Sequence, residues 1–483
     1  MLEDPYDRLP YTDHAYAESH PNRLAVVARL SGFRPPELPH ARVLEIGSAR
    51  GGNLLPMAAS LPEATLVGID RSERQVQEAA RIAQAVSLGH VTFLHASFES
   101  ADIASSSFDF VICHGLYSWV SVEVRRGLLR AIGRWLAPGG IAYVSFNTLP
   151  GWYERLAARD WMRGSRGAAG DPEGKEALAA LGWLKDQISP ELDGYRRRLG
   201  QVLERLSETE AAYLVHEYLS DEHHPEHVET FLTEAREAGL AYLGDAIPAH
   251  TALELLPDAV RARAHALDVS AMQRTVDFVR CTSFRRALLV RADECAARGW
   301  RFPARLDPEA LGDLRVASRL RPEGGDLFRG VHDSVQVTDG ARVALMDLSR
   351  VAPRSCAFHE LPGQGPELAS ELFDLWLATG DLDLYVHEPP MVTSAGDGAT
   401  AAPLARWQVA HAGAVTNAWH QEVRLPDALV RFLLERLDGT RSLAELERAA
   451  FDAGLLHGAS AQERAELVRA GVELLAGAAL LVG

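Results

Sequence analysis

The sequence predicts an α/β fold: a Rossmann-like sheet with helical insertions, followed by a middle domain and a C-terminal winged-helix-like module. Three observations predict it. Short β-branched and apolar runs alternate with helical stretches of about twelve residues through the first third of the chain. The first such run ends in a glycine-rich turn. The chain has 483 residues, more than the roughly 250–300 that one hydrophobic core fills, so two or three folded units are required.

The alternation begins with RVLEIG (42–47), a short run closed by glycine, and LLPMAASL follows it with helical composition. TLVGID (65–70), RQVQEAARIAQAV (74–86), VTFLHA (91–96), FDFVICHG (108–115), VRRGLLRAIGRWL (124–136) and GIAYVSFN (140–147) repeat the scheme. Strands that alternate with helices pair in parallel through right-handed crossovers. Gly, Pro and charge crowd 163–176, which predicts an excursion, and the helical, polar sequence after it makes 161–212 an insertion. An amphipathic helix over 225–239 then leads into a further short apolar run, 240–246. The catalytic domain is therefore expected over 1–160 and 213–293. Residues 294–404 form the middle domain, Leu-rich and irregular, ending in a linker-like stretch, 388–403. Helical patterns at 425–437, 442–454 and 461–477 make a small module within 405–483.

Composition excludes several classes. A formal net charge of −17 repels phosphate backbones, so no nucleic-acid partner is expected. No run of about 18 apolar residues occurs and the acidic start lacks a signal pattern, so membrane insertion is not expected and a cytoplasmic location is. The four cysteines form no CxxC pair. The stretch HEYLSDEHHPEH (216–227) holds four histidines but misses H-E-x-x-H, so no metal is expected.

The chemistry concentrates in EIGSARGGN (45–53). Gly47 ends the strand where a side chain would block a ligand, Ser48 and Asn53 line the turn, and Gly51 and Gly52 let the chain enter the helix. A dinucleotide fingerprint would carry a further glycine for a pyrophosphate. Here Glu45 precedes Gly47 instead, which suits a zwitterionic amino-acid ligand. Asp70 ends the second strand, placed to accept ribose hydroxyls, with Arg71 beside it. Ser97 and Phe98 follow the third strand, where they can bracket an adenine. After the fourth strand, His114, Tyr117 and Trp119 occupy the loop expected to face the ligand's reactive end. His114 is a candidate for the cofactor pocket and for a base, and Tyr117 and Trp119 for walls of an acceptor channel. His216 and Glu217 are a second pair of candidate bases.

EIGSARGGN, Asp70, YDRLPY (6–11), HGLYSWV (114–120), NTLPGWY (147–153), HEYL (216–219) and DFVRCTSFRRALL (277–289) together resemble class I methyltransferases with a methyltransferase regulatory region. Among these are bacterial protein-lysine methyltransferases that modify outer-membrane proteins. The resemblance implies S-adenosyl-L-methionine as cofactor, an antiparallel pairing of 240–246 with 284–292 at one edge of the sheet, and a possible homodimer. It also implies that Tyr6 and Tyr11 fold over the cofactor as a lid. The acceptor it implies is a protein or peptide, at a lysine amine. A small-molecule biosynthetic methyltransferase is the alternative, and the long chain beyond the catalytic unit favours the larger acceptor. Truncation near residue 404 is expected to spare cofactor binding.

Overall fold

The computed structural model describes residues 5–165, 173–303, 305–331, 333–393, 395–411 and 413–482. The expected excursion at 163–176 lies partly outside the described residues. Seven strands form the main sheet: β1 (Arg42–Ile46), β2 (Thr65–Asp70), β3 (Val91–His95), β4 (Phe108–Cys113), β5 (Leu136–Asn147), β6 (Leu240–Asp245) and β7 (Phe284–Arg291). Their spatial order is β3-β2-β1-β4-β5-β7-β6. The first five run parallel, and β7 enters antiparallel between β5 and β6, with Ala142 and Tyr242 both opposite Leu289. β5 starts four residues earlier than the apolar run suggests, because Leu136 pairs with Phe108 across an irregularity in the ladder.

Alternation along the strands buries both faces of the sheet. Val43, Leu66, Phe110, Ile112, Ile141 and Tyr143 meet helices Pro21–Leu30, Leu54–Ser60 and Glu73–Ala85. Leu44, Ile46, Val111, Cys113, Val144 and Phe146 meet helices Val122–Trp135 and Val228–Glu237. Ser72 and Ser121 cap the helices that follow β2 and β4, accepting from the Gln75 and Val124 amides. At the β7 edge, Arg285 is paired with Asp277 at 2.8 Å, both about 1% exposed, which explains two of the charges in DFVRCTSFRRALL: they clamp helix Val269–Arg280 to the sheet.

The insertion is three helices, Tyr153–Gly164, Lys175–Gln187 and Asp193–Ser207, around a core of Met162, Leu181, Leu199 and Leu206. The stretch read as irregular beyond residue 300 is ordered. Strand Arg315–Ser318 lies between Cys356–Ala357 and Leu382–Tyr385, and helices Asp339–Val351 and Pro366–Thr379 complete the unit. Its strands are too short for a period-2 signal to register. Helix Pro21–Leu30 is buried nearly all round because it serves two cores, giving Leu24, Val27 and Ala28 to the main sheet and Val26 and Leu30 to the middle unit.

The C-terminal unit packs helices Ala428–Arg436, Leu443–Asp452 and Ala461–Gly477 around Leu433, Leu446, Val472 and Leu475. It is not a pendant module. Leu404 and Trp407 of helix Pro403–His411 pack into the main-sheet core. Among the described residues, no helix is long and apolar enough to cross a membrane.

Candidate active site

The turn after β1 is held by its own main chain. The Gly47 and Ser48 amides donate to the Ile69 carbonyl, and Gly47 and Gly51 take φ of +77° and +79°. A Cβ on Gly47 would meet nothing within 4 Å, so the space above it is open to a ligand. Asp70 tightens the same turn: Oδ2 accepts from the Ala49 amide at 2.9 Å and Oδ1 from the Ser72 amide at 2.9 Å. Glu45 is buried, with Oε1 accepting from Asn53 Nδ2 at 2.7 Å and Oε2 buried without a protein partner among the described residues. Burial, with Asp70 adding, pushes its carboxyl up to about 8. Ser48 Oγ is likewise buried without a partner. Arg71 is exposed, and its carbonyl accepts from His95 Nε2 at 3.0 Å.

A strap from Asp7 to Glu18 crosses this end of the sheet. The Asp7 carboxylate accepts from Ser72 Oγ, the Leu9 carbonyl accepts from His216 Nε2, and Tyr11 donates to Glu217 Oε1 at 3.2 Å. Asp13 pairs with Arg50 at 2.9 Å, and the Tyr16 amide donates to Asn53 Oδ1 at 2.9 Å. Gly52 allows the crossing, since a Cβ there would lie 2.7 Å from Asp13 Cβ. Its role is therefore close approach of the strap as well as the turn. Tyr11 lies in the strap, while the Tyr6 side chain lies outside the described residues.

At the end of β4 the Tyr16 ring stacks on His114 at 3.5 Å, and His114 Nδ1 bonds the Tyr143 hydroxyl at 2.9 Å. Burial pushes His114 down to about 4, so the ring is neutral at neutral pH. Glu217, partly exposed on the turn Val215–Leu219, is surrounded by protein that pushes its carboxyl up to about 7. Tyr11 and Asn147 hydrogen-bond it. Glu45, Glu18 and Glu217 all lie close enough to raise the Tyr16 hydroxyl's pKa, which places Tyr16 between the two ends of the site.

Two expectations are corrected. Tyr117 does not line a channel: its ring is fully buried against Phe146 and Phe231, and its hydroxyl donates to Glu234 at 2.5 Å. Phe98 is buried in the core under helix Val122–Trp135, which leaves Ser97 on the surface in a turn with Ser100. In both cases an aromatic ring after a strand satisfied the stronger demand, burial. Trp119 stacks on His223 at 4.5 Å, and His223 accepts from Asn147 Nδ2 at 3.0 Å, so two side chains stand between Trp119 and Glu217 along this path. The four histidines of 216–227 face different partners: Leu9, Asn147, Glu222 and Tyr153.

Sequence reading missed Tyr16, Asn147 and, above all, His420. His420 Nε2 reaches Asn53 Oδ1 at 2.8 Å, and Glu422, two residues on, pairs with His14 at 2.9 Å. Both sit on or beside the hairpin of Val415–Thr416 with Glu422–Val423. Truncation near residue 404 would remove both contacts, one to the turn after β1 and one to the strap. Tyr16 lies in an aperiodic segment that the sequence marked only as a cover, and nothing local marks His420.

Residues 43–140 match a family described as "Methyltransferase domain", 210–291 one described as "Predicted methyltransferase regulatory domain", and 400–471 one described as "PKMT, C-terminal winged helix domain". "Uncharacterized protein RP789" of Rickettsia prowazekii is 33% identical over 60% of this chain and 53% of its own length. The chain thus spans about half the length of that relative. "Uncharacterized protein RP028" of the same organism is 30% identical over 45% of this chain and 87% of its own length. The solved structure of PKMT2 from Rickettsia typhi in complex with AdoHcy superposes with a TM-score of 0.82, covering 98% of this chain and all of that one at 24% identity, which establishes a shared fold. The methyltransferase domain match spans β1 to the start of β5, where Glu45, Gly47 and Asp70 converge, and with these relatives it makes the chain a member of the class I S-adenosyl-L-methionine-dependent methyltransferases.

Proposed function

We propose that the protein methylates a protein or peptide acceptor at a lysine side-chain amine. Glu217 is the observation that carries this reading. A lysine ammonium, with a reference pKa near 10.4, must lose a proton before nitrogen can attack, and a carboxylate whose pKa lies near 7 is matched to take it. Tyr11 and Asn147 aim that carboxylate, and the Tyr16 hydroxyl lies near enough to feel its charge. His114, neutral and pinned between Tyr16 and Tyr143, walls the site. A C-terminal unit matching the PKMT winged-helix family supports a macromolecular acceptor. Incubation of the protein with methyl-labelled cofactor and source-cell lysate tests this. Label is expected in protein, recovered as methyl-lysine after hydrolysis, whereas label confined to small molecules would establish the biosynthetic alternative.

The cofactor end fits an amino-acid-bearing nucleoside. The unpartnered Glu45 Oε2 and Ser48 Oγ, and the open space above Gly47, suit its ammonium and carboxylate groups, and Asp70 suits its ribose. S-adenosyl-L-methionine supplies an electrophilic methyl on a sulfonium. The raised Glu45 pKa has a measurable consequence. Near neutral pH its carboxyl is largely protonated, and a ligand ammonium favours the carboxylate, so binding expels the proton. AdoHcy affinity is therefore expected to rise with pH, approaching tenfold per unit, and to level off above about 8. Calorimetry across that range checks it, and Glu45→Gln should flatten this slope.

A further inference from the structure

We infer that His420 is a positioning residue of the cofactor site: through Asn53 it fixes the Glu45 carboxyl, so the C-terminal unit completes that site. The inference rests on the cofactor reading above. The hydrogen-bond chain has only one consistent polarity. The Tyr16 amide can only donate, so the Asn53 atom facing it at 2.9 Å is the carbonyl oxygen. Asn53 Nδ2 then faces Glu45 Oε1 at 2.7 Å and Ser19 Oγ at 3.0 Å, while Ser19 Oγ donates to the Tyr16 carbonyl at 2.8 Å. Turning the amide over would set two donors against each other at Tyr16. His420 Nε2, at 2.8 Å from the same oxygen, must therefore carry the proton and donate.

The imidazole is placed there by a hairpin built to aim it. His420 is 1% exposed and its backbone lies in the left-handed region, φ +60°, which side-chain-bearing residues seldom adopt. The flanking residues brace the turn. Asn417 Oδ1 accepts from the Trp419 and Gln421 amides, both at 3.0 Å, and Trp419 Nε1 donates to the Pro353 carbonyl at 3.0 Å. Trp419 also stacks on Tyr385 at 3.9 Å. On the other side Glu422 accepts from the Ala15 amide at 3.3 Å, beside its contact with His14. The hairpin thus holds the strap and the Asn53 amide together. Without the His420 donor, the Asn53 oxygen keeps the Tyr16 amide as its donor among the described residues, and the amide that orients Glu45 can swing.

AdoHcy calorimetry on the full-length chain tests this with three variants. His420→Phe fills the space without a donor, His420→Asn is too short to reach Asn53, and His420→Gln carries an amide N–H to about the Nε2 position. We expect the Phe and Asn variants to weaken AdoHcy binding about tenfold or more, with Gln within about threefold of the parent. Should Phe fail to fold, Asn and Gln alone decide. Affinity unchanged in Asn, or lost equally in Gln and Asn, overturns the positioning role. A parent protein that fails to bind AdoHcy at all overturns the cofactor reading instead.

Discussion

Glu217→Gln is expected to lower kcat about 10²–10⁴-fold at neutral pH while AdoHcy affinity stays within about twofold. Glutamine keeps the shape and accepts the Tyr11 hydroxyl, so the strap stays closed, but the side chain no longer takes a proton. The pH profile provides the sharper test. Burial raises the Glu217 carboxyl to about 7, and under the proposed lysine reading the carboxylate is the form that takes the proton, so the parent's rate is expected to rise as pH climbs through about 7. The glutamine variant lacks that limb. His114, pushed down to about 4, would place the limb far lower. Single-turnover methylation of a lysine-bearing acceptor between about pH 5 and pH 9 separates the two, and a glutamine variant with the parent's rate and limb would remove Glu217 from the chemistry.

Asp70→Ala is expected to weaken AdoHcy binding by about 10²–10⁴-fold. Two charge-assisted hydrogen bonds to ribose hydroxyls, at about 1.5–3 kcal/mol each, account for most of the loss. The structure adds a second contribution. Asp70 accepts from the Ala49 and Ser72 amides, so alanine also releases the turn that carries Gly47 and the cap region of helix Glu73–Ala85. The sheet itself should persist, because β2 pairs with β1 and β3 through main-chain bonds that need no side chain. Calorimetry measures the affinity and circular dichroism checks the fold. A folded variant with unchanged affinity would mean the ribose binds elsewhere.

Sequence by itself determined what short-range chemistry encodes. Period-2 and period-3.6 apolar patterns fix strands and helices within a dozen residues, and the glycines after β1 with the acid ending β2 are legible because turn and carboxylate stand one crossover apart. The candidate bases His216 and Glu217 were legible as chemistry, since ionisable side chains beside aromatics are few. Only the tertiary structure decided their surroundings. Whether Tyr117 and Phe98 face a ligand or a core depends on which way a loop ring turns, and burial against Phe231 and helix Val122–Trp135 outweighed exposure. The pKa order, Glu217 near 7 and His114 near 4, arises from desolvation by strap and sheet, which no local pattern contains. His420 meets Asn53 across 367 positions, a contact set by packing helix Pro403–His411 onto the main sheet rather than by any motif. Local periodicity reports only neighbours along the chain, whereas a polar site closed by distant segments exists only once the cores that carry them have packed.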